Sequence, residues 1–223
     1  MADRTRALDP RDPIGYQLKA MVFLARGDLP GARAVLEAAQ HEVEPTTLAQ
    51  STATYFDLFW ALDDAQQQLV LRLSPGPFGD SRLLWGLALA GTFALRGDTA
   101  RARAYADSAR PDGDSQVREA PEDGQLHVLL GTALAYLGHK TEAVREGERG
   151  VALLPVKKDA YFGPYVQHQL ARIYILVGEP EKALDQLEPL LKIPYFLSPG
   201  WLRIDPNFAP LRSNPRFQKL AGG

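Results

Sequence analysis

Leu170-Ala-Arg-Ile-Tyr-Ile-Leu-Val-Gly-Glu-Pro-Glu-Lys-Ala-Leu-Asp-Gln-Leu-Glu-Pro-Leu190 is the stretch that decides the fold. Leu170, Ile173, Tyr174 and Val177 recur at i, i+3, i+4 and i+7, and Ala183, Leu187 and Leu190 at i, i+4 and i+7. Two amphipathic helices are therefore predicted on either side of Gly178-Glu179, with no strand alternation in either. Glycine at the bend lets the backbone take positive φ without a Cβ penalty, which makes the pair a helical hairpin.

Outward from this unit, the same bend recurs at Gly27-Asp28, Gly97-Asp98 and Gly138-His139, giving spacings of 70, 41 and 40 residues along the chain. The first gap is double length. A further bend at Asp63, inside Thr54-Tyr-Phe-Asp-Leu-Phe-Trp-Ala-Leu-Asp-Asp64, divides it into 36 and 34 residues and completes five units. Asp28 and Asp98 are placed to cap the next helix through its orphan amides. A single hairpin buries too little apolar surface to offset its ordering entropy, so the pairs must stack and share one core.

The units resemble the tetratricopeptide repeat family, whose period is about 34 residues. Seven residues before each bend, where that family wants a small residue, stand Ala20, Ala90, Gly131 and Ala171, and only Phe56 departs. Four residues before it, the large apolar slot holds Phe23, Phe59, Phe93, Leu134 and Tyr174. Five residues after it, the small residue of the second helix is Ala32, Ala102, Ala143 and Ala183, whereas Gln68 makes the second unit degenerate. The resemblance covers about residues 14–195 and implies an all-α, right-handed α-α superhelix of about five helix pairs within a single domain spanning residues 1–223.

Several segments depart from the repeat. Pro189 is expected to kink or end the second helix of the last unit. Residues 110–124, with Pro111, Gly113, Pro121 and Gly124, read as a surface loop, and Ser74–Asp80 as a shorter connector. Residues 1–13 resemble the end of a preceding repeat, so the chain is expected to be a piece of a longer protein, with Asp12-Pro13 capping its first complete helix. Residues 196–223 are expected to form a cap in which Asp205-Pro206 and Asn214-Pro215 start two short helices, while Trp201, Phe208, Leu211, Phe217 and Leu220 cover the open face of the last repeat. The run Leu202–Phe217 also resembles the tail that closes repeat regions in large bacterial signalling proteins carrying a Ser/Thr kinase or adenylate-cyclase-like domain.

Composition narrows the function. With 45% apolar and 23% charged residues the chain can bury a core, and 25 basic against 27 acidic side chains give no drive toward phosphate backbones or anionic lipid. Nucleic acid is not an expected partner. The absence of cysteine excludes disulfides and thiolate metal sites. Leu83–Leu95, 13 residues long with Gly86, Gly91 and Thr92 inside it, is too short to cross ~30 Å of hydrocarbon and reads as a buried helix, so no membrane insertion is expected. Residues 1–20 carry acidic residues and prolines where a signal peptide needs an apolar run, which favours a cytoplasmic location.

Catalytic signatures are missing. The one glycine-dense run, Pro75–Gly79, lacks the lysine of a phosphate loop, and no kinase motif or GxSxG elbow is present. His41, His127, His139 and His168 show no metal-ligand spacing, and no cofactor is expected. Asp63-Asp64 and Glu179-Glu181 fall at helix starts, where negative charge favours the macrodipole. The chain is thus expected to be a non-catalytic scaffold that binds a protein or peptide in its concave groove, in the setting of a regulatory or sensor module of a larger bacterial signalling protein. A small-molecule sensor or enzyme with a pocket between the repeats and the C-terminal cap is the alternative.

Helical spacing nominates the groove residues as Gln17, Met21, Gln50, Asp57, Trp60, Thr132, Tyr165, His168 and Arg172, with Asp57 and Arg172 setting polarity at opposite ends. In family members that grip a C-terminal carboxylate, paired Asn and basic residues occupy the slots that here hold Met21, Asp57, Gly91 and Thr132, so that clamp is not expected.

Overall fold

A computed structural model of the protein describes residues 9–222, and among them every regular element is helical. The expected end of a preceding repeat lies mostly outside these residues. Five pairs follow in order: α1 (Pro13–Ala25) with α2 (Leu29–Ala39), α3 (Pro45–Thr54) with α4 (Asp64–Val70), α5 (Arg82–Leu95) with α6 (Thr99–Glu119), α7 (Gly124–Leu137) with α8 (Lys140–Leu153), and α9 (Phe162–Leu176) with α10 (Pro180–Leu190). Two short helices, α11 (Pro199–Ile204) and α12 (Pro215–Leu220), flank a 3-10 segment at Pro206–Leu211. The first helices pack on one another in sequence, α1 on α3, α3 on α5, α5 on α7 and α7 on α9, which makes them one continuous inner row.

The bends are equivalent, as the spacing predicts. Gly27, Gly97, Gly138 and Gly178 lie at φ of 79°, 79°, 80° and 75°. After each glycine the next amide donates to the carbonyl of Phe23, Phe93, Leu134 or Tyr174, so the large apolar slot of each unit also closes its turn. Asp12, Asp28 and Asp98 accept hydrogen bonds from Ile14, Gly31 and Arg101 at 2.9, 2.8 and 3.0 Å, and cap α1, α2 and α6. Pro189 sits in the last turn of α10, which ends one residue later.

Two expectations are corrected. Residues 110–119 are not a loop: α6 runs through Pro111 and Gly113 to Glu119. Tertiary contacts outweigh the lost backbone bond there. The Asp112 carboxylate accepts from the Leu83 amide at 2.8 Å and so caps α5, while Gly113 is buried between the side chains of Leu130 and Leu83. In the second unit the first helix stops at Thr54 instead of running to the bend at Asp63. Phe56 and Asp57 then take left-handed φ of 52° and 54°, and a 3-10 turn, Leu58–Trp60, follows. Phe56 stands where every regular unit has Ala or Gly; a phenyl group there could not lie in a close helix contact, and the chain turns it aside.

The C-terminal segment does more than cover the last pair. Phe217 is buried and α12 packs on α10, and Arg216 links Asp185 and Glu188 of that helix at 2.8 and 3.0 Å. Helix α11, however, lies against α1. A Cβ on Gly200 would stand 2.7 Å from the Ala25 carbonyl oxygen, so glycine there lets α11 rest on the bend of the first pair. Ser198 Oγ donates to the same carbonyl at 2.6 Å. One cluster of buried apolar side chains accordingly runs from Tyr16 to Ala221.

Candidate functional site

The return of residues 195–211 decides the fate of the nominated groove. Trp201 meets Trp60 edge-on at 5.6 Å between ring centroids, Phe196 meets Phe56 at 4.9 Å, and Phe208 stacks on His168 at 5.9 Å. Trp201 and Phe208 are fully buried. The chain's own tail thus covers the inner row at α1, at the Phe56–Trp60 turn and at α9. An opening of about 20 Å³ lined by Tyr136, Arg172 and Asn207 remains between repeats and tail, room for little more than a water.

Most of the nominated residues are therefore core. Gln17 is wholly buried and donates to Ser51 Oγ and Thr52 Oγ1 at 2.8 and 3.3 Å. Met21, Trp60, Thr132, His168 and Arg172 are also buried, Thr132 returning its hydroxyl to the Val128 carbonyl at 2.8 Å. Gln50 is half-buried and donates to Thr54 at 3.3 Å. Asp57 and Arg172 do not mark opposite ends of a groove; they form an ion pair at 3.0 Å. Helical spacing could not show this, because Asp57 leaves the helix before the pair is made.

Asp57 is the hub of the arrangement. Its Oδ2 accepts from Gln169 Nε2 at 2.6 Å and Tyr165 Oη at 3.2 Å, and faces Arg172. The Arg172 guanidinium also lies 5.7 Å from the centre of the Phe59 ring, so its buried charge is met by a carboxylate and an aromatic face. Burial, then the Asp57 charge, pushes the Tyr165 hydroxyl well above the ordinary phenol range. Burial, reinforced by the Arg172 cation, pushes the His168 imidazole down to about 3, so it is neutral. Its Nδ1 faces Tyr195 Oη at 3.3 Å and its Nε2 is buried without a partner among the described residues.

Beside this hub the inner row stays open. A pocket of about 180 Å³ lies where the end of α3, α5, α7 and the start of α9 converge. Leu84, Leu87, Ala88 and Leu129 line it together with Tyr55, Phe56, Tyr161, Phe162 and Tyr165, and Asp57 and Gln125 are among its polar groups. Tyr55 and Tyr161 share a hydroxyl hydrogen bond at 3.0 Å. Tyr161 and Phe162 are 59% and 42% exposed, an aromatic pair set edge-to-face on the rim. Of the nominated residues only Asp57 and Tyr165 line this pocket. The missed residues carried one signal in the sequence: Phe56 is the departure from the small-residue slot.

Among the described residues no cluster of His, Asp and Glu could hold a metal ion, and no helix is long and apolar enough to cross a membrane. The family model described as tetratricopeptide repeat matches residues 18–38 and 164–189, which fall in the first and last helix pairs. The molecule is a tetratricopeptide-like solenoid. No curated protein matches the chain. Between the matched segments of this solenoid lies the degenerate second unit, whose residues Tyr55, Phe56 and Asp57 line the pocket together with residues of regular units.

Proposed function

We propose that this tetratricopeptide-like solenoid is a non-catalytic protein-binding scaffold that seats a segment of its partner in the pocket between Leu129 and the Tyr161-Phe162 rim. One observation carries the reading: successive first helices converge on a concave, mostly apolar pocket with exposed aromatic side chains at its edge, the arrangement in which buried aromatic anchors supply most interface energy. Large exposed apolar groups otherwise stand singly, as Val22 and Leu176 do. The resemblance of Leu202–Phe217 to the closing tails of bacterial signalling proteins supports a regulatory or sensor role in the cytoplasm as part of such a protein.

Random peptides displayed on phage and selected against the protein test this. The expected outcome is a family of peptides whose affinity drops at least about tenfold on Leu129→Trp, which fills the pocket, and on Phe162→Ser, which removes an exposed rim ring. Selected peptides that bind both variants as well as the parent, or no enrichment at all, would sink the assignment.

A further inference from the structure

We propose that the pocket is selective for an aromatic side chain bearing one ring-borne hydrogen-bond donor, an indole or a phenol, supplied by the partner segment. The inference rests on the binding role assigned above and adds what the pocket selects. Its volume, about 180 Å³, compares with the roughly 150 Å³ dry cavity that accepts a benzene ring, so one aromatic group fits. Leu87, Leu129, Phe56 and Phe162 in its lining offer it apolar contact.

The polar requirement comes from Asp57. Both of its side-chain hydrogen bonds and the closest approach of Arg172 fall on Oδ2. Oδ1 takes no hydrogen bond among the described residues and is not sealed from solvent, since the buried unpartnered side-chain atoms lie on Gln17, His139 and His168. Asp57 lines the pocket, so an occupant that displaced water from Oδ1 without offering a donor would leave a carboxylate oxygen unmet. A cation is not the matching donor. The Asp57 charge is already balanced by Arg172 at 3.0 Å, and a second positive group entering an apolar pocket beside that guanidinium would meet repulsion and lose its hydration. A neutral N–H or O–H on a flat ring satisfies the oxygen without adding charge. None of the neighbouring hydroxyls is hydrogen-bonded to Oδ1: those of Tyr55 and Tyr161 meet each other, and Tyr165 donates to Oδ2.

The test uses blocked alanine-flanked pentapeptides with Trp, Tyr, Phe, Lys or benzothienylalanine at the centre, titrated into the full chain by NMR. Benzothienylalanine keeps the shape of tryptophan and replaces its N–H by sulfur. Trp and Tyr peptides are expected to bind about tenfold more tightly than their benzothienylalanine and Phe counterparts, the worth of one hydrogen bond to a charged acceptor. The Lys peptide is expected to shift no resonance. Leu129→Trp should abolish the Trp response, and Phe162→Ser, at an exposed site, should weaken it in a chain whose spectrum is otherwise unchanged. Equal affinity of Trp and its sulfur isostere, or tighter binding of Lys, overturns the donor requirement and leaves the pocket as the binding site. No response to any peptide up to millimolar concentration, or responses indifferent to both variants, overturns the pocket itself.

Discussion

The pair α7–α8 and the seam joining Phe56–Trp60, α9 and residues 195–208 are both buried, and they are held in opposite ways. In the first, backbone meets backbone: a Cβ on Gly124 would stand 2.6 Å from the Gly150 carbonyl oxygen, and a Cβ on Gly150 2.6 Å from that of Gly124. In the second, backbones are kept apart by Phe56, Trp60, Phe196 and Trp201 in a chain of aromatic contacts, with Asp57, Gln169 and Arg172 bonded among them. Small residues give a tight contact in which the backbones touch, and the one buried polar pair across it, His127 Nδ1 and Glu146 Oε2 at 2.7 Å, lies beside the glycines without holding the helices apart. Bulky and ionisable ones give a looser contact with an edge, and the pocket opens at that edge.

Breaking the glycine contact should cost most. Gly150→Val puts a branched side chain against the Gly124 backbone and Val128, where only movement of a whole helix can relieve it. The expected loss is about 3 kcal/mol, at the upper end for overpacking, read by denaturant unfolding with the pocket titration as a check on the distant site.

The seam should instead respond to acid. His168 is held neutral, its pKa lowered to about 3 chiefly by burial and then by Arg172, while in the unfolded chain it titrates near 6.5. Between these values the unfolded state binds the extra proton, so stability is full above about pH 6.5 and falls as the pH drops toward 3. The slope approaches about 1.4 kcal/mol per pH unit, or roughly 3 kcal/mol by pH 4. His168→Phe keeps a ring to stack on Phe208 and cannot protonate, so its stability should lack this part of the acid slope. Parallel pH profiles for the two proteins would show that the histidine is not the group responsible.

Removing Arg172 should be the next smaller perturbation. Arg172→Met leaves Asp57 without its counter-charge but still bonded to Gln169 and Tyr165. The Asp57 side chain is 21% exposed, so solvent offsets part of the cost, and the expected loss is about 2 kcal/mol instead of the 3–5 of a fully buried pair. Asp57→Asn in the same cycle should show a coupling of at least about 1 kcal/mol. Additive effects would mean the pair contributes nothing jointly.

The same contrast explains what the sequence made legible. The bends at Gly27, Gly97, Gly138 and Gly178 and the caps Asp12, Asp28 and Asp98 are local, set by residues within a turn of one another, and they stand where the periodicity puts them. The continuation of α6 through Pro111 depends on Asp112 meeting the Leu83 amide, and the return of the tail on Ser198 meeting Ala25, 173 residues away. No short-range pattern encodes either. Helical spacing identifies an inner face but not what lies on it, and at Phe56, Trp60 and His168 the chain's own tail does. Phe56 was visible as an exception to the repeat; that the exception opens a pocket depends on its two left-handed residues.

At the rim the expected stability effect is smallest, and this separates binding from folding. Tyr161→Phe removes only the hydroxyl bonded to Tyr55 across the pocket mouth. Water can replace that bond because Tyr161 is 59% exposed, so the change in unfolding free energy should stay within about 0.5 kcal/mol. Side chains that a fold does not need for stability are free to move, and a ring released from its neighbour can turn toward a ligand at little cost. Freed from the bridge, the Tyr55 hydroxyl should also exchange faster with solvent and leave the mouth wider, so Tyr161→Phe should speed peptide association while its melting curve overlays that of the parent. A melting point lowered by several degrees would instead make the Tyr55–Tyr161 bridge part of the seam, and the boundary between the structural contact and the binding edge would have to be redrawn inside Phe162.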